Sequence, residues 1–435
     1  MERTSEIPGF YKRSVEERRQ FIREWGGLTE EEARAYDFPP GVDPGILSRM
    51  VENVVGAFPL PLGIATHFRI NAKDYLVPMA LEEPSVIAAA SNAAKVARSA
   101  GGFTAQSTAP VMIGQIQVMD VPDPAAARLR VLGAREPLLE AANAKDPMLV
   151  KFGGGARDLE VRILDSPRGP ILVTHLLVDA RDAGGMNAVN TMCEALAPEI
   201  ARLAGGRSVL RIISNLAIHR LARASAIFPR SALATPEAPG EKVVEAILDA
   251  HALAVADPFR CATHNKGIMN GISSVVLATG NDFRAIESGA HSYAAYQAHG
   301  RGVIRPLTTY EKNADGDLVG TIELPVAVGL IGGATAVHPT AKANVKVLGV
   351  KGAAELGQVL AAVGLAQNFA ALRALATEGI QRGHMELHAR NIAATAGARP
   401  DEVDAVAARL VADHTVRIDR AREVLDEMRR SPGHR

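Results

Sequence analysis

Lys266 and Asp282 stand sixteen residues apart in DPFRCATHNKGIMNGISSVVLATGNDFRAIESGAHSYAA, each in a short Gly/Asn-rich stretch at the expected mouth of a helix, with an apolar run between them. Solubility does not require such a pair, whereas a charge relay beside a substrate would. The plain alternatives are a solvated lysine and an aspartate that caps the next helix. Glu83, just before Pro84, has the same alternative. In GHMELH, His384 and His388 lie at i and i+4 on one helical face. That spacing can chelate a metal, but the glutamate sits at the third position rather than the second, and no third ligand is evident. A single histidine acting as a general acid fits better, and a structural role stays open. VDARDAGGMNAVN gathers Asp179, Asp182, two glycines, Asn187 and Asn190 at a strand-to-helix junction. Such a junction exposes helix N–H groups to a phosphate; an ordinary capped turn is the other reading.

The elements that must position these groups fall into blocks. Residues 1 to about 50 read as charged helices, with Thr29 as a cap before an acidic first turn. Pro84 to Ala100 reads as an alanine-rich helix with Pro84 at its first position, which makes Glu83 the expected N-cap. From about Thr108 to Ile213, APVMIGQIQVMDV, DLEVRILDS, GPILVTHLLVDA and SVLRIIS read as four strands, with helices near 134–144 and 187–204. GGGARD at Gly153 fails the G-x-G-x-x-G spacing, so the usual dinucleotide fold is not expected. Helices return after Leu216, a hairpin turns at Asp315-Gly316, and a helical tail runs from about Ala353.

A chain of 435 residues should build more than one core. Formal charge is zero, which argues against a nucleic-acid partner. Only Cys193 and Cys261 are present, which fits a reducing compartment. No run of apolar residues is expected to span a bilayer, and the polar N-terminus lacks a signal-peptide core. The expected location is cytoplasmic.

ENVVG, PLPLGIA, MALEEPSV, DARDAGGMNAVNTM, HNKGIMNG, ATGND, GTIELPVAVGLIGG and EGIQRGHM, in order over nearly the whole chain, resemble hydroxymethylglutaryl-coenzyme A reductase of the soluble bacterial, class II kind. The resemblance implies reduction of a thioester through hemithioacetal and aldehyde to an alcohol, with two nicotinamide hydrides. It assigns catalysis to Glu83, Lys266, Asp282 and His384. An ammonium beside the thioester carbonyl would stabilise the oxyanion; Asp282 would keep Lys266 charged, Glu83 would share a proton with them, and His384 would protonate the released thiolate. The resemblance implies cofactor contacts at Asp146, Asp182, Asn187, Asn190 and Asn215, and substrate contacts at Ser85, Arg260, Asn270 and Asn368. Tyr11, Lys12 and Arg13 occupy the region where a basic group for coenzyme A is expected. The chain departs from the family's D-A-M-G-x-N by reading DAGGMN, which moves the methionine two places.

The expected fold is α+β: a helical large domain (1–108 and 217–377) interrupted by a small ferredoxin-like antiparallel-sheet cofactor domain (109–216), followed by a C-terminal helical flap (378–435). NADH is the expected cofactor, with NADPH disfavoured and coenzyme A part of the substrate. No metal is expected. A homodimer with an intersubunit active site is implied by the resemblance, with a higher assembly of dimers left open. The rivals are a metal-dependent hydrolase using His384 and His388, and a non-catalytic helical assembly protein.

Overall fold

The computed structural model describes residues 4–40, 42–236, 238–297, 303–377 and 380–430, without the side chains of 334 and 380–387. Three short helices open the chain: α1 (Val15–Gly26), α2 (Glu30–Arg34) and α3 (Pro44–Met50). Thr29 caps α2 in a capping box with Glu32, as its sequence predicts. Strands β1 (Leu62–Ile70) and β2 (Lys73–Ala80) precede α4 (Val86–Arg98) and β3 (Phe103–Ser107). The helix α4 begins two residues later than expected: Ser85, not Glu83, is its N-cap residue, and Ser85 takes a left-handed φ of 74°.

The middle of the chain runs β4 (Val111–Met119), α5 (Pro124–Gly133), α6 (Arg135–Asn143), α7 (Pro147–Lys151), β5 (Gly155–Leu164), β6 (Ile171–Asp179), α8 (Met186–Ala204) and β7 (Arg207–Ser214). These strands form one antiparallel sheet in the order β5-β6-β4-β7, the arrangement of a split βαβ unit. Each expected strand is present within a few residues, because each is a run rich in apolar and β-branched residues bounded by turn residues. Helices α5, α6 and α8 cover one face and enclose a core of Ile116, Val118, Leu172, Leu176 and Val178.

The chain then returns through β8 (Leu221–Phe228), α9 (Arg230–Leu233), α10 (Gly240–Ala256), α11 (Pro258–Ala278), α12 (Phe283–Tyr296), β9 (Thr308–Lys312), β10 (Leu318–Pro325), α13 (Gly333–Val337), α14 (Pro339–Leu348) and α15 (Ala353–Ala376). The β9–β10 hairpin turns through Gly316, whose φ is 81°. A six-stranded sheet, β2-β1-β3-β8-β10-β9, is built from strands on both sides of the middle segment. That segment leaves and rejoins at Thr108 and Leu221, which are hydrogen-bonded to each other. α15 crosses the sheet and packs on α11 and α4, with Phe369 stacked on Phe228 at 3.7 Å between ring centroids. The expectation about membrane spans needs correction, since α15 is long and apolar enough to cross a bilayer. Most of it is buried inside the fold, so its apolarity serves the core.

Three further helices, α16 (Ile380–Thr395), α17 (Val403–Ala412) and α18 (Ile418–Arg430), share their own cluster around Ala389, Val406, Leu410, Val424 and Leu425. Glu402, 2% exposed, ties them together. Its carboxylate accepts from Arg429 at 2.7 Å and from the Arg399 backbone at 2.8 Å. The Arg429 hydrogen bond, then the backbone one, hold its carboxyl down to about 2, against an ordinary 4.5. A lowered pKa means the tie is complete above pH 4.5 and is lost as pH falls toward 2. Amide exchange in α17 and α18 should therefore accelerate across that window ahead of the large core. In Glu402→Gln the acceleration should be present already at neutral pH; an exchange pattern unchanged by the mutation would contradict the tie.

Candidate active site

The helix α11 starts at Pro258, with the Asp257 carboxylate accepting from the Phe259 and Arg260 amides. It runs unbroken to Ala278, so Lys266 lies in mid-helix rather than in a turn, contrary to expectation. The Gly/Asn density misleads because His264 and Asn265 are not part of an open flank; both are buried. Asn265 Nδ2 donates to the Arg305 carbonyl at 2.9 Å, and its Oδ1 accepts from the Leu307 amide at 3.0 Å. His264 Nε2 meets Thr308 Oγ1 at 2.6 Å. Burial, reinforced by His251 and Arg260, pushes the His264 imidazole down to about 3, which keeps it neutral.

The opposite face of α11 presents Lys266, Asn270, Ser273 and Leu277, at helical spacing, to a groove of about 320 Å3. There Lys266 Nζ donates to Glu83 Oε2 at 3.2 Å, and Asn270 Nδ2 reaches the same oxygen at 3.4 Å. Because Ser85 rather than Glu83 starts α4, the Glu83 carboxylate is free to face the lysine. Both groups remain accessible, Lys266 at 60% and Glu83 at 35%.

Asp282 does not join them. Its carboxylate caps α12, accepting from the Arg284 and Ala285 amides, and pairs with the Arg284 guanidinium at 3.1 Å. Twelve residues of helix separate Lys266 from Ala278, about 18 Å at the usual rise, and Lys266 and Asp282 line different spaces. Asp282 instead lines a second, larger cleft of about 1200 Å3, on the far side of a wall formed by Ala80, Leu277 and Phe283. Asp146, Asn187, Gly184, Gly185 and Met186 line this cleft too. Gly185 starts α8 at φ 94°, which only glycine adopts without strain. A Cβ on Gly329 would lie 2.4 Å from the Gly184 nitrogen, so glycine is needed for the two loops to meet.

The remaining expected contacts divide. Asp146 caps α7, its Oδ1 accepting from the Leu149 amide at 2.9 Å, while also facing the cleft. Asp182, expected at the cofactor, instead has its carboxylate on the Ala353 amide at 2.7 Å, capping α15 from outside. Asn190 Oδ1 accepts from the Ile213 amide and braces β7. Asn215 is exposed beyond β7, and neither asparagine lines the cleft. Arg260 is half-buried in the first turn of α11, without an ion pair or side-chain hydrogen bond among the described residues. Asn368, expected at the substrate, is 1% exposed and belongs to the buried network. Its Oδ1 accepts from Thr308 and Tyr310, and its Nδ2 donates to the His264 carbonyl. Among the described residues, Ser85 Oγ is buried without a hydrogen-bond partner, as is Gln367 Oε1. Gln367 was not anticipated; its signal is a polar pair, Gln367-Asn368, inside the apolar helix α15. The His384 side chain lies outside the described residues, and His388 is exposed.

The chain matches the family model described as hydroxymethylglutaryl-coenzyme A reductase over residues 14–389. It is 59% identical over 426 residues to the 3-hydroxy-3-methylglutaryl-coenzyme A reductase of Archaeoglobus fulgidus, covering 98% of this chain and 95% of that one. A structure of the class II 3-hydroxy-3-methylglutaryl-CoA reductase from Streptococcus pneumoniae, bound to NADPH in open conformations, aligns with a TM-score of 0.75 and 39% identity, over 96% of this chain and 100% of that chain. A further structure of the Streptococcus pneumoniae reductase aligns with a TM-score of 0.76, over 97% and 99% of the two chains.

Proposed function

Because the chain belongs to the hydroxymethylglutaryl-coenzyme A reductase family, we propose that it interconverts 3-hydroxy-3-methylglutaryl-CoA and mevalonate by two hydride transfers, at a site shared between two copies. The observation that carries this reading is the division of polar groups across one wall. Lys266, Glu83 and Asn270 face the groove, while Asp282, Asp146 and Asn187 face the large cleft. A two-fold dimer that sets one copy's groove against the other's cleft unites the lysine and the aspartate that a single chain separates.

The cleft suits a dinucleotide. Its volume of about 1200 Å3 exceeds the usual ~300–1,000 Å3 of small-ligand sites. Gly184 and Gly185 bare backbone at the start of the 19-residue helix α8, where N–H groups favour phosphate oxygens. Bound there, NADH would supply the hydride. The chain's own residues do the rest: Lys266 holds charge on the substrate oxygen as it becomes an oxyanion, and Glu83, hydrogen-bonded to that lysine, carries the proton to it. Ser85 and Gln367, each with a buried oxygen that has no partner among the described residues, and Arg260, whose guanidinium has none among them either, would offer polar contacts to the acyl group. The reading keeps the cytoplasmic location expected from the sequence.

Oxidation of mevalonate with NAD and coenzyme A, followed by NADH formation, tests the activity. Stoichiometric bound zinc with no NADH formed would sink it. His384→Gln should slow thioester reduction far more than reduction of free mevaldehyde, from which no thiolate leaves. Equal losses in the two assays would assign His384 a structural role.

A further inference from the structure

The groove that holds Lys266 and Glu83 has a second wall whose residues none of these steps uses. α12 presents Phe283, Glu287 and His291 to it, at i, i+4 and i+8 on one helical face. Across from them, Ser273 Oγ donates to Glu287 Oε1 at 2.6 Å. Glu287 is half-buried, and His291 is exposed to solvent. The charged groups facing the groove are thus Glu82 and Glu83 from the loop before α4, Lys266 from α11, and Glu287 and His291 from α12. The space between them, about 320 Å3, has room for roughly ten waters at ~30 Å3 each. A proton therefore crosses it in a few hydrogen-bonded steps.

The proposed reaction needs such a crossing. Reducing a thioester to an alcohol with two hydrides takes up two protons: one ends on the thiol sulfur, the other on the alcohol oxygen. The proton lent to the first alkoxide returns when the hemithioacetal collapses to aldehyde and thiolate. The proton lent to the final alkoxide does not return. The Lys266–Glu83 pair is therefore one proton short after each turnover, and solvent must replace it.

We infer that His291 and Glu287 return that proton. An imidazole exchanges protons with water in both directions near neutral pH. Its N–H bond breaks as an O–H bond forms on Glu287, held in line by Ser273. The proton then passes to Glu83, which shares it with Lys266. No electrons move in this relay. His291 and Glu287 act through the Lys266–Glu83 pair rather than on the substrate, and the inference rests on the reductase reading above.

The test compares His291→Ala, His291→Gln, Glu287→Gln and Glu287→Asp in the reduction of both 3-hydroxy-3-methylglutaryl-CoA and mevaldehyde. Each alanine or glutamine variant should lose roughly ten- to a hundredfold in kcat with both substrates, below the ~10²–10⁴-fold span of a direct general acid. The KM for the nicotinamide should stay unchanged. Added imidazole should restore turnover to His291→Ala but not to Glu287→Gln, and Glu287→Asp should retain most activity. A structural role for His291 would not respond to imidazole. Because His291 is exposed, its variants should fold. Variants with wild-type kcat, or a His291→Ala loss that imidazole leaves in place, would overturn the relay while the reductase reading stands. A wild-type enzyme without turnover on either nicotinamide would overturn both.

Discussion

Lys266→Ala is expected to lower turnover at least ~100-fold, the loss typical of removing one preorganised oxyanion donor. The lysine projects from mid-helix into a groove and is 60% exposed, so alanine, a good helix former, leaves the fold intact. What disappears is the cation that pairs with Glu83 among the described residues. Asp282→Asn should lose most activity while keeping its cap, since the amide oxygen still accepts from the Arg284 and Ala285 amides. The two variants together test the shared site. If each site takes Lys266 from one copy and Asp282 from the other, a mixed dimer of the two inactive proteins contains one intact site and one doubly damaged site. Half the dimers from an equal mixture are mixed, so activity should recover to about a quarter of wild type. A mixture as inactive as its components would place both residues in one copy's site.

The second large effect concerns the nucleotide. NADPH carries a phosphate on the adenosine ribose that NADH lacks, and Asp146 faces the cleft with one oxygen engaged in capping α7. A carboxylate near the ribose hydroxyls favours NADH and repels that phosphate. At ~4 Å two unit charges repel by about 1 kcal/mol in water, and several times more where water is excluded. A ten- to thousandfold preference for NADH is the expected result, at ~1.4 kcal/mol per factor of ten. The measurement is the NADH/NADPH ratio of kcat/KM in the native protein, in Asp146→Ala and in Asp146→Asn. The asparagine variant keeps the cap and removes the charge, which separates repulsion from any loosening of α7. Lys145 and Lys151, close in sequence, would soften the preference if they faced the same phosphate. The Streptococcus pneumoniae structure holds NADPH, so a native ratio below one, or a ratio indifferent to both substitutions, is the outcome that removes Asp146 from this role.

Much of the fold was legible because local pattern decided it. The four strands of the middle segment are short runs rich in apolar and β-branched residues between turn residues, and Asp315-Gly316 announces its hairpin. The start of α4 lies two residues beyond the expected one because Pro84, although an ideal first helical residue, is followed by a left-handed Ser85. That two-residue shift is what frees Glu83 for Lys266. α11 was obscured by polar residues that turn inward to serve the 305–308 backbone. Asn368 was placed with the substrate by family likeness, while Thr308 and Tyr310 occupy its oxygen. The separation of Lys266 from Asp282 was not legible, since only the unbroken helix α11, which takes up most of the sixteen-residue step between them, sets the two on different sides of a wall. Asp182 carries the same lesson: a carboxylate in a cleft-forming loop is spent on capping a helix 171 residues further along.

The six-stranded sheet takes β3 from before the middle segment and β8 and β10 from after it, and α15 closes its core. This sets an order of events on the ribosome. At ~5–20 residues per second, Ala376 is made roughly 20–75 s after translation starts, and until then the sheet that begins with β1 to β3 lacks the helix α15 that closes its core. The middle segment, with its own core, can fold soon after Ser214 is clear of the exit tunnel. Once folded, it holds Thr108 close to the point where Leu221 will follow, turning a distant strand pairing into a near neighbour. The nascent large sheet, with apolar edges waiting for late partners, is then the stage most in need of a chaperone.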